Sequence, residues 1–155
     1  MTFDNSVVFL SRLALVMLFL PFSALDKVLN FRAATGQARQ AVSSPVLAGG
    51  MIVLGLTVEV LTSLALVTGT ADRLGALVLA GYCAVTAFLF KRFWSKPDFR
   101  LRGPSQGRDV FWDFLKNVAL AGALVSIALG PGTNGALGLL ADPLSSTAPY
   151  ATRGP

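Results

Sequence analysis

The chain has 155 residues, of which 54% are hydrophobic and only 14% charged, with a net charge of +5. A typical soluble domain carries about 25% charged residues, so disorder is excluded and an ordinary water-soluble globule is disfavoured. There is no histidine and a single cysteine, Cys83. This excludes a haem or metal held by imidazole and any histidine-based triad, and one thiol neither closes an internal disulfide nor holds an iron–sulfur cluster alone. No haem, iron–sulfur cluster or metal is therefore expected on this chain by itself. In redox chemistry its electrons would sit on an organic cofactor, a substrate or a partner subunit.

The first apolar stretch, residues 7–25, is interrupted only by Ser11, Arg12, Pro21 and Ser23. It is preceded by Asp4 and by no basic residue, which argues for a retained span over a cleaved signal peptide. Pro21 removes a backbone hydrogen bond and should kink this helix near its end. In the connection at 26–45, Val28, Leu29, Phe31, Ala34, Ala38, Ala41 and Val42 alternate with Lys27, Arg32, Arg39 and Gln40, a pattern for a short helix lying in the membrane interface. The second stretch, 46–68, has Glu59 as its only charge. Ser44 can cap it, Pro45 suits its first position and Gly69 its end.

The third stretch, 74–90, is uncharged, with Thr70 or Asp72 as candidate cap. The connection at 91–113 is flanked by Phe93-Trp94 and Phe111-Trp112, whose rings suit the headgroup level of one membrane surface. The fourth stretch, 114–130, has Asp109 as candidate cap and Gly130-Pro131 as its stop. From 131 to 155 the composition turns to Gly, Pro, Ser, Thr and Ala, as expected of a tail that is flexible or ordered by a partner. Helices of about 17–25 apolar residues cross a bilayer, and continuous rather than alternating runs favour helices over barrel strands. The expected fold is all-α, a transmembrane four-helix bundle over residues 1–130.

Four spans put both termini on one side. The two connections on the other side hold nine basic residues, and the side of the termini holds two, Arg73 and Arg153. The positive-inside rule then makes connections 26–45 and 91–113 cytoplasmic and both termini external, in a cell (inner) membrane. Basic residues scattered between apolar runs do not form a nucleic-acid face. The partners expected are membrane lipids and either other subunits or further copies of the chain.

A charge within a span costs at least about 2.5–3.5 kcal/mol and needs a partner or a function. Glu59 and Arg12 lack one on their own helices. Arg12 lies roughly 8 Å and Glu59 roughly 14 Å from the outer ends of their spans at 1.5 Å per residue, so an Arg12–Glu59 pair inside the bundle is expected. This pair is the candidate catalytic site, or else an ion pair that only fixes helix register. A second polar cluster of Asp26, Asp113, Lys116 and Asn117 is expected at the inner surface, against the alternative of snorkelling surface charges. Tyr82, one turn from Thr86, can donate to a carboxylate or a quinone carbonyl, although such a tyrosine more often bonds a neighbouring helix. Cys83 reads as a packed small hydrophobe. The small residues Gly75, Gly81, Ala119, Gly122, Ala123 and Ser126 suit close helix contacts.

These residues fall in a familiar order. Arg12, Phe19-Leu20-Pro21 and Asp26-Lys27 lead to Glu59, Leu64-Ala65-Leu66-Val67-Thr68-Gly69 and Arg73-Leu74. Phe90-x-x-Phe93-Trp94 and Phe114-Leu115-Lys116-Asn117 through Gly122 follow. Over residues 7–130 the chain resembles the DoxX family of membrane proteins. It departs from that pattern in having Lys91-Arg92 where members commonly have a histidine, in lacking a glycine near Ser23, and in its longer tail. The resemblance implies a four-helix membrane fold and a link to quinone, thiol or oxidative-stress chemistry, since the family includes the small-subunit type of thiosulfate:quinone oxidoreductase.

Three functions follow. The first is a redox subunit that binds quinone among its helices, with Glu59 and Arg12 acting on the quinone and Tyr82, Asp26, Lys116 and Asn117 as further binding groups. The second is a non-catalytic accessory or assembly subunit that docks a partner on the basic face of residues 91–108. The third is a small transporter or lipid-binding protein with Glu59 as its proton site; four helices without a broken inverted repeat make it the weakest.

Overall fold

Asn5–Leu29, Pro45–Thr68, Asp72–Ser95 and Gln106–Leu129 are each long and apolar enough to cross a membrane. They come from a computed structural model that describes residues 3–130 and 135–146, apart from the side chain of Asp4. Among the described residues there is no strand, and the elements run α1 (Phe3–Met17), a π-helical segment (Leu18–Ala24), α2 (Leu25–Leu29), α3 (Phe31–Ala38), α4 (Pro45–Thr68), α5 (Asp72–Phe90), a 3₁₀ turn (Phe93–Ser95), α6 (Gln106–Leu129) and α7 (Gly135–Ala141). The expected all-α, four-span fold is what the chain adopts.

The first span is α1, the π segment and α2 in series. Pro21 lies inside the π segment, so the bond it cannot donate is absorbed by a local widening of the helix. At Asn30 the backbone leaves the helical region (φ −113°, ψ 36°), and α3 sets off along α4. This is the short helix expected between the first two spans.

The ends of α4 follow the sequence signals. Ser44 Oγ accepts from the Leu47 N–H, Pro45 occupies the first turn, and Gly69 closes the helix in the left-handed region at φ 76°. Two other caps differ from expectation. The residue before α5 is Ala71, itself left-handed at φ 54°, and neither Thr70 nor Asp72 caps the helix. Instead the N–H groups of Arg73 and Leu74 donate to the Leu144 carbonyl. The cap of α6 is Ser105, four residues before Asp109, because the Asp98 carboxylate folds back to accept from the N–H groups of Gln106 and Gly107. An acid outside the helix thus starts it a turn early.

α5 is the central element, packed most extensively on α6 and α4. Its Leu79, Ala80 and Cys83 form the core with Val16, Phe19, Leu66 and Leu124. Helices in lipid associate by close packing rather than by a hydrophobic drive, and α4 meets α5 over glycine. A Cβ on Gly75 would stand 3.0 Å from Ala65 Cβ and 3.3 Å from the Thr62 carbonyl oxygen. The small residues of α6 behave differently: Ala119, Gly122, Ala123 and Ser126 all face outward, and a Cβ on Gly122 would meet open space.

Where the third and fourth spans begin and end at the basic connection, Phe93 stacks edge-on with Phe111 (5.0 Å between ring centroids), Trp94 (5.2 Å) and Phe114 (5.3 Å). Both Phe-Trp dipeptides therefore meet at one end of the bundle. Within the segment read as a tail, residues 135–141 form α7, and residues 142–146 lie against the start of α5. Residues 131–134 and 147–155, with Pro131 among them, lie outside the described residues.

Candidate functional site

Two buried ion pairs occupy different levels of the bundle, and neither is the expected Arg12–Glu59 pair. Near the end where α1 begins and residues 142–146 lie, Arg12 Nη2 lies 2.6 Å from Asp72 Oδ2, with both side chains buried. Arg12 Nη1 also donates to the Leu66 carbonyl at 3.1 Å. Asp72 is fully buried and accepts from both the N–H (2.8 Å) and the hydroxyl of Ser146. Ala71 N–H donates to Ser145 Oγ at 2.9 Å, and the Arg73 guanidinium donates to the carbonyls of Gly138 and Asp142. Carbonyls and hydroxyls of residues 138–146 thereby complete this site, so the ion pair has no open side toward a ligand.

Deeper in the bundle, Lys27 Nζ lies 2.6 Å from Glu59 Oε1. Ser23, one turn before Lys27, donates to the same oxygen at 3.0 Å, and Lys27 also donates to Ser23 Oγ. Glu59 is 1% exposed, and its second oxygen, Oε2, makes no hydrogen bond. Ser63 Oγ, one turn on from Glu59 and fully buried, is likewise unpartnered. Tyr82 lies across from this face. Its hydroxyl is near Glu59 and Thr86, its ring centroid is 6.0 Å from Lys27 Nζ, and the missing side chain of Gly55 gives it room against α4. Cys83, beside it, is free and buried.

The exchange of partners has a physical reason. Arg12 and Asp72 both belong to the terminal end of the bundle, and the short distance between them outweighs the longer reach to Glu59. Lys27 is one helical turn from Ser23, and its four-carbon stem carries the ammonium inward from the end of the first span. Reading Lys27 as an interface residue and Asp72 as a helix cap hid both partners. The signal was available: Ser23 and Lys27 share one face at i, i+4 spacing, and Asp72 is the sole acid between the second and third spans.

The second expected cluster forms in part. Asp113 is 3.2 Å from Lys91 Nζ and 3.4 Å from Lys116 Nζ, and Asn117 bonds the Asp113 carbonyl on its own helix. Asp26 does not join: its side chain accepts from Asn30 on its own segment. Lys116 is largely exposed, so its part in the cluster is that of a snorkelling surface charge.

A groove of about 370 Å³ runs between the first and second spans, lined by Ala24, Val28, Leu56, Thr57, Val60 and Leu61. Ala24 and Val28 follow Ser23 and Lys27 directly in the chain, and Leu56 and Val60 bracket Glu59. A lipid-facing apolar groove and a buried hydrogen-bonding group thus share the same turns of helix.

Four apolar spans, charges paired inside the bundle and an outer surface of exposed leucine, valine and phenylalanine define a multi-pass integral membrane protein. The DoxX family model matches residues 7–92, more than half of the chain, and the protein belongs to the DoxX family. That match takes in Arg12, Lys27, Glu59, Asp72 and Tyr82 and ends before the fourth span. Comparison with curated proteins and with solved structures gave no match.

Proposed function

We propose that the protein is a membrane subunit linked to quinone redox chemistry, and that Lys27, Ser23, Glu59 and Tyr82 hold the quinone head. The supporting observation is the unpartnered Glu59 Oε2, buried beside a lysine and on the same helical turns as the residues that line an apolar groove. The fit to such a group rests on donor chemistry. A quinone presents carbonyl acceptors, and Lys27 and Tyr82 are donors, while Ser23 gives its one hydroxyl hydrogen to Glu59 Oε1. Its isoprenoid tail is apolar, as are the residues of the groove. A bound quinone would supply two-electron, two-proton carrier chemistry.

The chain's own part is then to orient and to move a proton. Lys27 fixes the Glu59 carboxylate through Oε1 and leaves Oε2 as the atom that takes or releases a proton. Arg12, paired with Asp72 at another level, has no part in this step and locks the helices.

Mass spectrometry of what co-purifies from native membranes in mild detergent tests the reading. The expected result is about one quinone per chain with an oxidoreductase partner, and loss of the quinone in a folded Glu59→Gln variant. Unchanged quinone in that variant would remove Glu59 from the site. A stable complex with no quinone on this chain would support the accessory-subunit reading, which the exposed basic connection at residues 91–108 favours.

A further inference from the structure

At the opposite end of the bundle from the Arg12–Asp72 pair, a second cavity of about 320 Å³ lies between the end of α5 and the segment that follows α3. Its lining is Gln40, Ala41, Phe88, Leu89, Arg92 and Trp94. No lining residue is acidic. The Arg92 side chain forms no ion pair or hydrogen bond among the described residues. By contrast, Asp26, Asp98 and Asp113 at this end are engaged by Asn30, by backbone N–H groups and by two lysines. Phe88 and Trp94 are half-exposed and stand 6.4 Å apart between ring centroids, an aromatic wall at the depth where rings meet headgroups.

We propose that this cavity is a binding site for one anionic phospholipid. The phosphodiester accepts from the Arg92 guanidinium and the Gln40 amide, and an acyl chain lies on Phe88 and Leu89. Arginine suits this role because its planar fork matches a phosphate and it is weakly hydrated. Unpaired arginines where a membrane helix ends attract anionic lipid in preference to neutral lipid. Charge complementarity names the occupant: a cation without a partner among the described residues, above an apolar and aromatic wall, at the membrane surface. A soluble anion would use the arginine and leave the wall idle. The proposal is independent of the quinone reading, since no residue is shared.

The test is native mass spectrometry of the full chain in mild detergent with phosphatidylglycerol or phosphatidylcholine added at equal concentration. The protein should retain phosphatidylglycerol about fivefold better, the contribution of one arginine near an anionic surface. Arg92→Gln should abolish the preference, and Ala41→Trp, which fills the cavity without changing charge, should lower retention of both lipids. Arg102→Gln, in the same basic connection but outside the cavity, should behave as the parent. Equal losses in the Arg92 and Arg102 variants would mean a diffuse basic surface and overturn the site. So would displacement of the lipid by millimolar inorganic phosphate, or an Arg92 variant that keeps the preference.

Discussion

Lys27 and Glu59 face each other from two helices, and each is the main compensation for burying the other. Removing one partner of a buried pair leaves an uncompensated charge and costs about 3–5 kcal/mol, whereas replacing both by apolar residues is often close to neutral. Lys27→Met should therefore destabilise the protein strongly, and Lys27→Met with Glu59→Met should recover most of the loss, as read by denaturant unfolding in detergent. Arg12→Met should show no such coupling to Glu59, because its acid is Asp72. Gly75 gives a packing prediction. Its Ala variant pushes a methyl against Ala65 and the Thr62 backbone, and overpacking of this kind costs about 1–3 kcal/mol. Gly122→Ala, which meets open space inside a helix, should hold or raise the melting temperature. At this scale the sequence exposed which side chains were costly to bury but not which ones met. Residue counting along straight, upright helices placed Arg12 opposite Glu59; the long arm of Lys27 and the unforeseen role of Asp72 are properties of three dimensions.

The start of α5 depends on a segment some seventy residues later in the chain. Leu144 accepts from its first N–H groups, Ser146 holds Asp72, and the Arg73 guanidinium binds the carbonyls of Gly138 and Asp142. A chain ended at Gly130 should lose about 1–3 kcal/mol, the cost of leaving buried groups without their partners, and should melt earlier. Asp72→Asn should cost less in that shortened chain than in the full one. Composition alone made residues 131–155 read as a tail, because nothing local in Gly135–Asp142 marks it as the cover of another helix. The caps of α4 were legible because both signals are local, and the cap of α6 was not, because Asp98 acts across a loop.

That loop carries a pH dependence of defined sign. Desolvation, the largest single influence, pushes the Asp98 carboxyl up, but the N–H groups of Gln106 and Gly107, with its own backbone N–H and Arg100, together hold it below the usual carboxylate value of 3.8. A depressed folded pKa means that the contribution is fully present above 3.8 and is lost as the pH falls through the lower folded value. Amide hydrogen exchange at Gln106 and Gly107 should stay slow down to acid pH in the parent chain. In Asp98→Asn it should be faster already near neutrality, with no acid-dependent step of its own.

The whole molecule is a bundle whose two ends differ in charge and in construction. The end where α1 begins is closed by the Arg12–Asp72 network, and the other end collects eight of the thirteen basic residues, Lys27 having turned inward to Glu59. The four spans were readable from hydropathy because lipid permits few other arrangements of the backbone. The positive-inside rule predicts that a reporter fused after Pro155 is active outside the cytoplasm and silent within it. Between the two ends lies the buried Lys27–Glu59 pair beside a lipid-facing groove, and the quinone proposal rests on that combination. Photolabelling of native membranes with an azidoquinone, followed by mapping of the labelled peptides, tests it most directly. The account predicts label on the two walls of the groove, around Ala24–Val28 and Leu56–Leu61, protected by excess unlabelled quinone and lost in Glu59→Gln. Label confined to the outward face of α6, or label that excess quinone does not displace, would contradict it.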